Sequence, residues 1–368
     1  MASATSVLVS VGALTLGLVI LRRWRSSKWG RCTLPTKLTG KVVIVTGGNV
    51  GLGAETALDL AGRGATVVLA CRSEDTSLET VTRIRKQTGN NDVHYMHLDL
   101  ANLESVRQFA GDLLEKYPNI YCLVCNAGVW CPMDQEMKTS QGLEIHAGVN
   151  HLGHFLLTSL LLERLCQSSP SRLVLVSSSL SSQGTLDLEK FDHFREGRPA
   201  VPGSKSFAPT GYCDSKLMNV LFCKELSSRL AGRGLTTVSV CPGWCKTELA
   251  RHTGIKLYQG GILDICRYYC NLVITCCLVL QLRPADHTDS NDLPLENPLP
   301  SHCFSLYENS SPGSSEYHPG CSGGSGETVW WRILQRLQTA SAENAKFDGM
   351  SDTGRQLWEL SEELTGLK

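Results

Sequence analysis

Tyr212 and Lys216 stand four positions apart in Tyr212-Cys213-Asp214-Ser215-Lys216, at the opening of a helical stretch. At that spacing a phenol and an ammonium share one helix face. A free phenol has a pKa near 10 and is a poor base at neutral pH. A cation alongside favours the phenolate, and a drop of two to three units corresponds to roughly 3–4 kcal/mol. Tuned in this way, Tyr212 would exchange a proton with a substrate oxygen. Ser177 and Ser178 close an apolar run. A serine hydroxyl there can hydrogen-bond the same oxygen and steady its developing charge.

A second cluster suits a phosphate rather than a proton. Thr46-Gly47-Gly48-Asn49-Val50-Gly51-Leu52-Gly53 follows an apolar run and opens a helix. Glycines there let the backbone turn tightly and approach a pyrophosphate, whose charge sits at the helix N-terminus. In a dinucleotide site an NAD preference usually shows as an acid at the end of the next strand. This chain has Ala70-Cys71-Arg72-Ser73 instead. With no carboxylate and with a guanidinium able to grip a 2′-phosphate, NADP(H) is the expected cofactor. Such a coenzyme is the hydride partner that the Tyr212 proton would accompany.

These residues need a scaffold, and the pattern supplies one. Strand-like runs cover 41–46, 66–70, 93–98, 121–126, 172–177 and 236–241, with helical patterns over 51–62, 73–88, 103–117, 143–166 and 212–231. Alternation of this kind predicts an α/β fold, a Rossmann-type doubly wound parallel sheet in three αβα layers. Ser177, Ser178 and the segment Asn126-Ala127-Gly128 fall at strand ends, and Asn150 falls in the helix after the latter.

Charge is balanced, with 35 basic and 35 acidic residues, which argues against a nucleic-acid partner. Sixteen cysteines form no secreted-type framework. Cys122 and Cys125 sit in a strand-like run and read as reduced structural thiols, not as a metal pair. Residues 1–21 carry no charge, enough helix for about 30 Å of hydrocarbon. Arg22, Arg23, Arg25, Lys28 and Arg31 follow, a basic linker over 22–37. That charge order predicts a membrane anchor with the bulk of the chain in the cytosol. The catalytic domain is assigned to 38–282, with an apolar segment at 255–282. Asp264 and Arg267 argue that this segment lies over the substrate mouth or in the lipid interface rather than spanning it. A helical tail is assigned to 338–368.

Taken together, these residues resemble the short-chain dehydrogenase/reductase superfamily over about residues 38–250. The resemblance implies cofactor contacts from Gly47, Asn49, Gly51, Leu52 and Gly53, an adenine contact from Asp99, and contacts from Asn126, Pro242 and Thr247. It implies catalytic roles for Asn150, Ser178, Tyr212 and Lys216, the last two also touching the cofactor. Ser178, not Ser177, is implied as the substrate-binding serine. Ala70-Cys71-Arg72, Asn150-His151-Leu152-Gly153-His154-Phe155 and the terminal 357–365 are similar to the membrane-bound retinol dehydrogenase branch. That similarity implies interconversion of retinol and retinal, or of related lipophilic alcohols and aldehydes, at an endoplasmic reticulum membrane. Another lipid carbonyl or a steroid would suit the same groups. So would a membrane-bound interaction protein that kept the fold and little activity.

Two departures from that branch stand out. Ser178 and Tyr212 are 34 positions apart, with a surplus loop expected over 194–209. Residues 283–337 lack the branch's last helix and strand motifs. Yet codons for Trp330-Trp331-Arg332-Ile333-Leu334-Gln335-Arg336-Leu337-Gln338 can be chosen so that reading one base later spells Gly-Gly-Gly-Tyr-Tyr-Ser-Asp-Cys, the expected strand motif. Residues 283–337 are therefore read as out of frame relative to the family, or as disordered, with the sheet's seventh strand in question.

Overall fold

Apolar β-branched runs such as Val42–Thr46, with sequence VVIVT, have no polar face to leave in water and so need cover on both sides. The computed structural model describes residues 36–132, 137–188, 193–197, 208–242, 249 and 350–368. Within them, β1 (Val42–Thr46), β2 (Thr66–Cys71), β3 (Val93–His97), β4 (Cys122–Cys125), β5 (Ser171–Val176) and β6 (Leu235–Val240) form one sheet in the order β3-β2-β1-β4-β5-β6. All five pairings are parallel. Helices α1 (Gly51–Gly62), α2 (Glu74–Thr88), α3 (Leu103–Lys116), α4 (Gly153–Gln167) and α5 (Thr210–Arg229) connect the strands. This is the doubly wound sheet expected, with every expected strand present to within a residue or two.

Strand order reverses between β1 and β4, and the carboxyl ends of those strands diverge into a crevice. Val43, Val45, Val67 and Val124 pack toward one face, Ile44, Val68 and Leu123 toward the other, which gives the sheet its two cores.

The helix expected over 143–166 is interrupted. Ala147–Leu152 is a π-helical segment that passes into α4 at Gly153. Such bulges recur at functional sites because one extra residue in a turn re-aims a side chain. Here that side chain is Asn150. The chain also approaches closely at Gly153, where a Cβ would lie 2.7 Å from the Leu100 carbonyl oxygen.

The C-terminal tail is helical from Ser351 to Thr365 (α6) and lies against α5 and α4. Leu357 and Trp358 are buried, and Leu360 and Leu364 pack beside them. The Trp358 ring meets Phe155 edge-on at 5.1 Å and Phe222 at 5.8 Å, with the Arg229 guanidinium 4.4 Å over its face. Arg107 donates to the Thr365 carbonyl at 2.6 Å, satisfying a helix end that Gly366 turns away at a φ of 66°. Among the described residues, no helix is long and apolar enough to cross a membrane. The anchor expected over 1–21, the apolar segment 255–282, residues 283–337, Thr247 and most of the surplus loop lie outside the described residues.

Replacing Trp358 by Ala leaves a cavity between α4 and α5, and is expected to lower unfolding stability by about 3–5 kcal/mol. Denaturant titration of wild type and variant checks the value.

Candidate active site

The glycine-rich turn sits at the carboxyl end of β1. Gly47 and Gly51 have φ angles of 64° and 56°, in the left-handed region that side chains avoid. A Cβ on Gly53 would stand 2.3 Å from the Gly47 carbonyl oxygen and 2.6 Å from Asn126 Nδ2, so the loop and helix close only around glycine. Val50 caps α1 without a side-chain hydrogen bond, and the first turn holds no acid, which leaves its N–H groups and positive dipole end toward the crevice. Those features fit a dinucleotide phosphate. Leu52 follows Gly51 in that first turn, half-buried.

Loop and neighbouring strand are tied together by side chains. Asn126 donates Nδ2 to the Thr46 carbonyl at 2.9 Å, while its own N–H and that of Ala127 donate to Thr46 Oγ1 at 2.9 and 3.0 Å. Asn49 Nδ2 donates to Thr76 Oγ1 at 2.8 Å, pinning the loop to α2. Cys71, at the end of β2, lies under the backbone of Gly47, Gly48 and Asn49, and burial pushes its thiol up to about 11. Arg72 follows it and is exposed at the crevice side of the sheet, where a carboxylate would discriminate for NAD. Asp99 follows β3, half-buried, and its Oδ1 accepts the Ala101 N–H at 3.0 Å. Pro242 stands just past β6.

On the other side of the crevice the two candidate serines separate. Ser177 donates its hydroxyl to the Lys216 carbonyl at 2.8 Å and belongs to the scaffold. Ser178 points to Tyr212, with which its side chain hydrogen-bonds. Lys216 Nζ lies 5.6 Å from the Tyr212 ring centroid and donates to the Val176 carbonyl at 2.8 Å. The two side chains therefore share one face of α5, as the spacing predicts.

Asn150 comes from the π-helical segment. Its Oδ1 accepts the Val129 N–H at 2.7 Å, and its Nδ2 donates to the Val129 carbonyl at 3.1 Å and to Ser215 Oγ at 3.0 Å. A Cβ on Gly128 would lie 3.2 Å from Asn150 Oδ1 and 3.8 Å from Lys216 Nζ, so the segment after β4 threads between them. Asn150, Ser178, Tyr212 and Lys216 thus converge at the ends of β4 and β5.

The electrostatics differ from the sequence expectation of an acidified phenol. Burial pushes the Tyr212 hydroxyl above its usual value, and the Ser178 hydrogen bond offsets only part of that. Burial also lowers Lys216, to about 8. The reason is that both groups are almost wholly enclosed, Tyr212 and Lys216 at 4% exposure each, and desolvation disfavours the charged form of either. The arrangement is therefore a neutral, hydrogen-bonded phenol beside an ammonium whose proton is loosely held.

Several contributors were not legible in sequence. Trp130 stacks on Tyr212, and a part-buried Glu144–His146 pair lies behind them. His154 joins the Asn150 carbonyl at 3.1 Å to Thr46 Oγ1 at 2.9 Å. Only the position of Trp130, soon after Asn126-Ala127-Gly128, offered a hint.

Comparison with known proteins places the chain in a family. The model for short chain dehydrogenases matches residues 41–188. Mouse (Mus musculus) retinol dehydrogenase 11 is 48% identical over 64% of this chain and 70% of its own length. The chain belongs to the short-chain dehydrogenase family. Within it, the relatives mark the retinol dehydrogenase branch: human (Homo sapiens) retinol dehydrogenase 13 is 42% identical over 67% of this chain and 71% of its own length. Human retinol dehydrogenase 12 is 45% identical over 61% and 68%. Among solved structures, an uncharacterized protein from Mycobacterium Paratuberculosis covers 92% of this chain with 98% of its own at 26% identity and a TM-score of 0.57. The oxidoreductase yciK from E. coli covers 66% with 93% of its own at 26% identity and a TM-score of 0.50. This short-chain dehydrogenase is accordingly an oxidoreductase of alcohols that uses a nicotinamide coenzyme.

Gly53→Ala drives a methyl into the Gly47 carbonyl. The expected outcome is a stability loss of about 1–3 kcal/mol, as for overpacking, with coenzyme binding lost at concentrations that saturate wild type. Fluorescence titration with NADPH on the folded variant checks it.

Proposed function

We propose that this protein is an NADP(H)-dependent oxidoreductase that interconverts retinol and retinal, or a closely related lipophilic alcohol and carbonyl. The reading is carried by the protonated, Ser178-bonded Tyr212 phenol beside Lys216, at the carboxyl end of the sheet, in a chain of the retinol dehydrogenase branch. When bound, the coenzyme's nicotinamide supplies or accepts the hydride. Ser178 holds the substrate oxygen in line with Tyr212. The phenol then gives that oxygen its proton, and reduction of the carbonyl needs the protonated form, which burial favours. Lys216 places positive charge where the phenolate develops and stabilises it. Asn150 fixes the segment after β4 and the Ser215 end of α5, so the acid keeps its place.

For the coenzyme, Gly47, Asn49, Gly51, Leu52 and Gly53 would cradle the pyrophosphate, with Asp99, Asn126, Tyr212, Lys216, Pro242 and Thr247 along the rest of its length. The exposed Arg72 guanidinium suits a 2′-phosphate. The uncharged run at 1–21, followed by its basic linker, supports an anchor in the endoplasmic reticulum membrane with the site facing the cytosol, beside the lipid in which such substrates dissolve.

Membranes carrying the full chain are expected to oxidise NADPH faster with retinal than with medium-chain aldehydes or a ketosteroid. Equal indifference to all of these removes the retinoid reading. Tyr212→Phe should lower turnover by about 10²–10⁴-fold, the usual range for a positioned acid, with NADPH binding retained. Arg72→Asp should shift preference from NADPH toward NADH by ~10–100-fold, the worth of a charge-assisted pair. Reductive kcat should hold at neutral pH and fall as pH rises past about 8, where Lys216 loses its proton. A flat profile from pH 7 to 10 contradicts the role given to Lys216.

A further inference from the structure

Tyr212 is flanked by groups that the proton transfer itself does not use. The Trp130 ring stacks on it, with centroids 5.0 Å apart and planes inclined by 21°. His146 meets it edge-on at 6.2 Å and 83°. The residue after Trp130, Cys131, is buried, and its backbone N–H donates to His146 Nε2 at 3.0 Å. A ring nitrogen that accepts carries no hydrogen, so the imidazole proton sits on Nδ1. From there it donates to Glu144 Oε1 at 2.6 Å, while Glu144 Oε2 accepts the Ala147 N–H at 2.8 Å.

His146 is buried at 4% exposure, and the Glu144 side chain is mostly covered, at 13%. Burial by itself would raise the Glu144 carboxyl; the hydrogen bonds from His146 and Ala147 outweigh it and hold the group below its ordinary value. It is pressed against the first turn of α5. A Cβ on Gly211, the residue before Tyr212, would lie 2.9 Å from Glu144 Oε1 and 3.0 Å from His146 Nδ1. Any other residue there would push the pair away from the acid.

We propose that Glu144 and His146 brace the acid: the carboxylate fixes the imidazole tautomer, the imidazole fixes the Cys131 amide, and Trp130 is thereby held on the Tyr212 ring. The brace sets the plane of the phenol, and so the direction in which its hydroxyl meets the substrate oxygen. Both are positioning residues that act through Cys131 and Trp130. The inference rests on Tyr212 being the acid of the proposed reaction.

The test uses the purified full chain with His146→Phe, His146→Gln and Trp130→Leu. A glutamine amide offers a donor toward Glu144 and an acceptor toward Cys131, whereas phenylalanine offers neither. His146→Phe should lower kcat for carbonyl reduction by ~10–100-fold, the effect of a misplaced reacting group, with NADPH affinity unchanged. His146→Gln should restore most of the lost turnover. The near-ultraviolet circular dichroism of the Trp130–Tyr212 stack should vanish in His146→Phe and Trp130→Leu and persist in His146→Gln. Wild-type kcat in His146→Phe overturns the brace. So does a glutamine variant as impaired as the phenylalanine one, or a kcat loss with the stack signal intact. If His146→Phe does not fold, Trp130→Leu, at a half-buried position, decides: turnover must fall by the same order with NADPH affinity kept, and wild-type turnover overturns the proposal. Tyr212→Phe is assayed alongside. Retained turnover there overturns the acid and the brace together, whereas a dead Tyr212→Phe with an unaffected His146→Phe overturns the brace alone.

Discussion

The site depends on the burial of a helix that carries polar side chains into the interior. Every residue of α5 from Tyr212 to Cys223 is buried, including Asp214, Ser215, Lys216 and Asn219. An enclosed polar group without a partner costs about 1–3 kcal/mol, and a charged one more. Each of these four therefore requires a partner at a fixed place, and the partners are the rest of the site. Asp214 Oδ1 accepts the Thr185 N–H at 2.8 Å, holding the segment after β5. Ser215 accepts from Asn150, and Lys216 reaches the Val176 carbonyl. Asn219 Nδ2 donates to the Asn150 carbonyl at 3.0 Å. Meeting the hydrogen-bonding demands of one helix thus assembles β5, the π-helical segment and the acid into a single arrangement.

That constraint also explains the tail. A helix buried on every side needs cover beyond what one sheet face gives. The cover on the far side of α5 is α6, whose Trp358 fills the space between Phe155 and Phe222 and whose Ser361 Oγ lies 3.1 Å from His151 Nε2. His151 in turn lies 3.3 Å from Asn219 Oδ1. A helix more than a hundred positions downstream of α5 is therefore two side chains away from Asn150.

What the sequence made legible follows from how local each cause is. Strand and helix positions depend on runs and periods within a dozen residues, and they were read closely. The phosphate turn was equally plain, because glycine's backbone freedom is a local property. The i, i+4 pairing of Tyr212 and Lys216 was geometry of one helix. Their electrostatics were not, since burial is supplied by distant chain. The same one-dimensional view that put an ammonium beside a phenol could not weigh desolvation of both, and so it forecast a lowered phenol where enclosure raises it. Nor could it choose between Ser177 and Ser178 without the family resemblance, although one hydrogen bond into α5 separates them at once. The π-helical segment was missed because its cause, the reach of Asn150 to Val129 and Ser215, spans three separate elements.

Burial that raises one group silences others, and the silence is useful. His151 and His154 are both enclosed, and desolvation lowers them to about 3 and about 4. Neither gains charge at any pH where such an enzyme works, so neither changes its pattern of donor and acceptor. His154 must donate from Nδ1 to the Asn150 carbonyl, which leaves Nε2 to accept from the Thr46 hydroxyl. That hydroxyl is in turn free to accept the Asn126 and Ala127 N–H groups. The coenzyme cradle and the acid's supporting asparagine are thereby joined by a neutral imidazole whose polarity is fixed. A carboxylate or a lysine in that place would titrate or require a counter-charge, and in an enclosed site either would disturb the one proton that is meant to move.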